Sequence, residues 1–210
     1  MIADIIKLFK NKYFYIGLFL LFTGMQLNFV SQGYLFRNYE EGNTLPALPD
    51  LILDNIPYWN IDSLCDIFSL ISIAVFILNI IHNKDFERVP YYLILFSIFQ
   101  ILRAIFIVLT PIGNPEFFDG TDGAFNGFSK IELGVYPSGH IGLAYFYFLL
   151  ARNKYYKSIL LLDTMVIMIC LFFSRAHYSI DVFSGIIFAY AIKSFGDKRI
   201  LKYVIKNTGN

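Results

Sequence analysis

Residues 90–111 read PYYLILFSIFQILRAIFIVLTP, 22 positions in which Arg103 is the only charged side chain. At 1.5 Å per residue a helix of that length covers about 33 Å, enough for the hydrocarbon core of a bilayer. A run this long and this apolar reads as a membrane span. Working outward, further runs of the same kind lie at 13–33, 62–82, 138–152, 157–174 and 179–196, of which 138–152 and 157–174 are short. The expected fold is therefore an all-α integral membrane protein, a six-helix bundle forming one domain over residues 1–210. Composition agrees: 57% of residues are hydrophobic and 16% charged, against about 45–50% apolar in a water-soluble domain. The net charge of +1 offers no basic excess that would point to a nucleic-acid partner.

Loop charges give the expected orientation. If the N-terminus lies inside, 13 Lys and Arg fall in inner segments (7–12, 84–88, 152–157 and 193–206), and only Arg37, Lys130 and Arg175 fall in outer ones. The positive-inside rule then places both termini in the cytoplasm and requires an even number of spans. The outer loops, about 34–61 and 112–137, carry the acids Glu40, Glu41, Asp50, Asp54, Glu116, Asp119, Asp122 and Glu132. Lys7, Lys10 and Lys12 precede the first run as they would in a signal peptide. No small-residue cleavage pattern follows Tyr15–Phe22, so an uncleaved span is expected. Cys65 and Cys170 lie in apolar runs and read as buried small residues, with no spacing that suggests a metal or a disulfide.

Two of the three histidines sit where spans meet the outer face. His140 follows Tyr136-Pro137-Ser138-Gly139, and His177 lies in Ser174-Arg175-Ala176-His177-Tyr178-Ser179-Ile180-Asp181. His82 reads as a solvated residue of an inner loop. His177 and Asp181 are four apart, the spacing that puts side chains on one helix face. A carboxylate there fixes the imidazole tautomer and leaves the other ring nitrogen as a nucleophile; the plain alternative is a polar pair closing a helix start. Ser138 and Gly139 open the fourth span. Helix-start amides bind anions, though ordinary capping explains the same residues. Arg103 lies about 10 Å deep, seven residues before Thr110, where a guanidinium needs an anion. Phosphate fits it, and so does an acid such as Asp54, Asp62 or Asp66. Asp163, six residues past Lys157, reads as an interfacial residue outside the chemistry.

Together these segments resemble the type 2 phosphatidic acid phosphatase superfamily, and within it the sphingomyelin synthase-like branch that includes inositol phosphorylceramide synthases. The resemblance rests on Ser138-Gly139-His140, on His177-Tyr178-Ser179-Ile180-Asp181-Val182, on Leu45-Pro46-Ala47-Leu48-Pro49-Asp50 with Asp54, and more loosely on Leu102-Arg103 with Thr110. It covers about 45–190. The chain departs from the synthase pattern at Gly134, where an Asp is usual. It also lacks the phosphatase motif Lys-x-x-x-x-x-x-Arg-Pro, and Arg175 lies closer to its histidine than the phosphatase pattern places it. The resemblance implies a six-span core with His140, His177 and Asp181 as the catalytic set on the outer face. It implies a phosphate held by Arg103, Arg175, Ser138 and Gly139, with Asp50, Asp54 and Tyr178 in support. It also implies transfer through a phosphohistidine without metal or cofactor, on a phospholipid or lipid phosphate. Transfer to a lipid alcohol, hydrolysis, and lipid binding or movement without catalysis are the three functions weighed.

Overall fold

A computed structural model describes residues 2–39, 45, 47–115 and 136–206. Pro46, Gly134, Lys130 and the loop acids Glu40, Glu41, Glu116, Asp119, Asp122 and Glu132 lie outside the described residues. Every regular element described is helical: α1 (Ile2–Lys10), α2 (Lys12–Tyr39), α3 (Asp62–His82), α4 (Val89–Leu109), α5 (Gly139–Leu150), α6 (Lys154–Phe173), α7 (Ser179–Arg199) and α8 (Leu201–Lys206). Short 3-10 turns occur at Leu53–Asn55 and Phe86–Arg88.

Five helices are long and apolar enough to cross a membrane: α2, α3, α4 with its leading turn, α6 and α7. The sixth expected span is the 12-residue α5, about 18 Å long. It stops at Leu150 because Ala151 turns extended and Asn153 opens the next helix, its side chain accepting from the Tyr155 amide at 2.9 Å. Large side chains stand outward from the long helices, among them Phe19, Leu162 and Ile187, each more than 60% exposed. In a bilayer those faces meet hydrocarbon, where the same exposure carries no cost.

The helices pair α2 on α4 and α3 on α6, while α5 is packed against α3, α6 and α7. Gly24 permits the first pairing, since a Cβ there would lie 2.9 Å from that of Gln100. Small residues allow such approach where no hydrophobic drive between helices exists. Cys65 and Cys170 are free and buried, filling a core with Ile141, Ile167, Leu171 and Val182. A second core gathers Phe76, Tyr92, Leu95, Phe99, Phe146 and Leu160.

Two expectations are corrected. His82 is not in a loop but closes α3, its ring 5.6 Å from that of Tyr156; the left-handed backbone of Lys84 makes the turn beyond it. Asp163 is not interfacial: it is 5% exposed and accepts a hydrogen bond from Ser72 Oγ of α3. A carboxyl group inside the bundle needs such a donor because water cannot reach it.

Chain direction brings the starts of α3, α5 and α7 to the same end as the ends of α2, α4 and α6. At the opposite end Asp85 accepts from Tyr92 Oη at 2.6 Å and pairs with Arg152 at 3.2 Å.

Candidate functional site

His140 enters at the second residue of α5, and His177 in the turn between α6 and α7. Their ring centroids are 5.9 Å apart. The pairing depends on close backbone contact between the two helix starts. The Ser138 amide donates to the Asp181 carbonyl at 3.1 Å. Gly185, one turn further along α7, has no room for a side chain: a Cβ would lie 2.8 Å from the Ser138 carbonyl oxygen.

Asp181 is fully buried. Its Oδ2 accepts from the Tyr178 amide at 2.9 Å and lies 3.5 Å from His177 Nδ1. The i,i+4 pair therefore meets by a different route from the one expected. His177 precedes α7 by two residues, so the contact arises because Asp181 folds back to cap its own helix. Burial pulls the His177 pKa below its ordinary value of 6.5, the nearby Asp181 carboxylate only partly offsetting it. The shift favours the neutral ring.

His140 has its own acid. Asp66 Oδ1, on the second turn of α3, lies 3.2 Å from His140 Nε2. From the sequence alone, Asp66 is only one of several acids that could serve Arg103. The signal was available: both helices begin at the same end, and each residue lies within its helix's first five positions.

Arg103 reaches across from α4. Its Nε donates to the Pro137 carbonyl at 3.0 Å and its Nη1 to Asn28 Oδ1 at 2.9 Å. A Cβ on Gly139 would lie 3.3 Å from Arg103 Nε, so the guanidinium lies over the glycine beside His140. Arg103, Gly139 and His140 line one cavity of about 220 Å³ with Ser69, Ser72, Gln100, Leu143 and Tyr147 among others. Asn28 was not foreseen, because it lies in an apolar span with no motif around it. Ser138 is fully buried, and its Oγ has no hydrogen-bond partner among the described residues.

Arg175 is placed differently. Its Nη2 donates to the carbonyls of Leu53 at 2.9 Å and Ile56 at 3.2 Å, and its backbone is left-handed at φ 52°. It clamps the 47–61 segment and lines a second cavity of about 280 Å³ with Asp50, Asp54 and Tyr178. Asp50 accepts from the amides of Ser179 at 2.6 Å, Ile52 at 2.9 Å and Leu53 at 3.2 Å. Burial would raise its pKa, but these donors outweigh that and hold it below the usual carboxylate range. Asp54 Oδ2 accepts from the Asp50 amide at 3.1 Å, and Tyr178 Oη from the Leu48 amide at 3.0 Å. These three residues fasten the 47–61 segment to the start of α7.

Of the expected set, His140, His177, Asp181, Arg103, Ser138 and Gly139 thus converge, while Arg175, Asp50, Asp54 and Tyr178 secure the neighbouring segment. Among the described residues no group of three or more His, Cys, Asp or Glu is placed to hold a metal ion. No family model, curated protein or solved structure matches this chain.

Proposed function

We propose that the chain is a membrane lipid phosphotransferase of the sphingomyelin synthase-like type, working through a phosphohistidine with its site at the extracytoplasmic face. The observation that carries this reading is the pair of imidazoles 5.9 Å apart, each with its own carboxylate and with Arg103 alongside.

A neutral His177 attacks the phosphorus of a phospholipid. The nitrogen–phosphorus bond forms as the phosphorus–oxygen bond to the lipid alcohol breaks. Protonated His140 gives its proton to that leaving oxygen. Asp66 engages Nε2 of His140, so Nδ1 serves the substrate. An acceptor alcohol then attacks the phosphorus, returns its proton to His140 and releases His177. Arg103 offsets charge on the phosphoryl oxygens in both transition states. Lipid alcohols reach such a site from the bilayer, and the excess of Lys and Arg at the opposite end supports an outward-facing site.

Hydrolysis is the second reading. The His140 side chain is 37% exposed, so water can stand where the acceptor would. Purified protein incubated with headgroup-labelled phospholipid, with and without ceramide or diacylglycerol, separates the two. A new labelled lipid formed only with acceptor is expected. Release of the free phosphorylated headgroup in both arms would favour hydrolysis. An acid-labile label on His177, lost in His177→Ala together with at least about 100-fold of turnover, is the expected intermediate. Full activity in folded His177→Ala protein would overturn both readings.

A further inference from the structure

The proposed chemistry uses only the upper part of the cavity beside His140. The cavity continues down α3 and α5 to Ser72 and Tyr147. Asp66, Ser69 and Ser72 recur at intervals of three, so they follow one face of α3. Two members of this stripe are engaged: Asp66 lies against His140, and Ser72 Oγ donates to Asp163. The middle one is not. Ser69 lines the cavity, and its Oγ is shut off from solvent with no hydrogen-bond partner among the described residues. A hydroxyl in that position destabilises the empty protein, and a ligand oxygen would relieve it.

The depth indicates which oxygen. Ser69 lies about 4.5 Å further along α3 than Asp66, on the side away from the helix start. In a phospholipid the first ester or amide follows the phosphate by a few bonds, a comparable separation. Leu143 and Ala144 on α5 give the cavity an apolar wall at that level, suited to the chain beyond the linkage.

Resting on the phosphotransfer reading, we propose that Ser69 recognises the ester or amide carbonyl of a lipid whose phosphate lies at Arg103 and His140. Ser69 Oγ donates to that carbonyl, and the acyl chain begins against Leu143 and Ala144. The site thereby selects acyl lipids over their ether counterparts.

Binding of phosphonate analogues tests this, because their phosphorus–carbon bond resists transfer. Three probes of equal chain length are used with the purified full chain: a diacyl, an N-acyl and a dialkyl ether phosphonate. Wild-type protein is expected to bind the two acyl probes about tenfold more tightly than the ether. Ser69→Ala should erase that preference while unfolding at the same or a higher temperature. Ser69→Thr, which keeps the hydroxyl, should retain it. An acyl preference that survives in Ser69→Ala, or equal binding of all three by wild type, would overturn the subsite and leave the phosphotransfer reading standing. Failure of wild type to bind any of the probes would overturn both.

Discussion

At the scale of single residues, the site is governed by what burial does to charge. His177 is buried among Asp181, His140 and Arg103, and its pKa lies below 6.5. Below pH 6.5 the unfolded chain takes up a proton at this ring that the folded chain refuses. Stability therefore falls as pH drops from 6.5 toward the lowered folded value. The acid limb of kcat/KM should likewise fall below pH 6.5, and a pH profile measures it. Asp181→Asn removes an influence that favours the imidazolium, so the limb should move lower still, with turnover reduced. Asp66→Asn should lower kcat by about 10- to 100-fold, with less change in KM, because in the proposed mechanism the carboxylate serves the proton donor and not the resting contact with lipid. Asn28→Ala should instead raise KM, since Arg103 loses the acceptor that holds it over Gly139. Steady-state kinetics of these two variants distinguish the two roles.

At the scale of elements, the start of α7 is where sequence and structure can be compared most closely. The apolar runs located α3, α4, α6 and α7 to within a few residues, because lipid-facing helices carry their signal in composition alone. The end of α2 was less legible: expected at 33, it falls at Tyr39, because the helix continues through polar residues such as Arg37 and Asn38 that carry no apolar signal. Of the site, the residues with a local pattern were readable: His140 after Ser138-Gly139, and His177 with Asp181. Asp66 and Asn28 were not assigned their roles, because their contacts span 74 and 75 positions and depend on helix pairing. The i,i+4 reading of His177 and Asp181 found the right partners for the wrong reason, a helix face in place of a cap. That cap is reinforced by Asp50, whose carboxylate takes the Ser179 amide. Asp50→Ala should destabilise the protein by about 1–2 kcal/mol, as loss of a helix-start acceptor does, measurable by thermal unfolding in detergent. Gly185→Val should cut activity more than stability warrants, because the added carbons push α5 and its His140 away from α7.

At the scale of the whole molecule, the proposal makes one end of the bundle face outward. Leu51, 83% exposed, lies at the site end, and Lys198 lies at the other. Cys65 and Cys170 are buried, so single cysteines introduced at these two positions report cleanly. In intact cells, a membrane-impermeant maleimide should label Leu51→Cys and leave Lys198→Cys unmodified until the membrane is opened. The reverse pattern would turn the site toward the cytosol.

The docking of the 47–61 segment also bears on biosynthesis. Its fastenings, Asp50 to Ser179, Leu48 to Tyr178 and Leu53 to Arg175, join positions 129, 130 and 122 apart. A ribosome delivers the hairpin of α2 and α3 long before α7 exists. These three fastenings therefore form only once the turn after α6 and the start of α7 have been made. A nascent chain that stops before residue 175 would leave this segment without these three fastenings and His140 without α7 beside it.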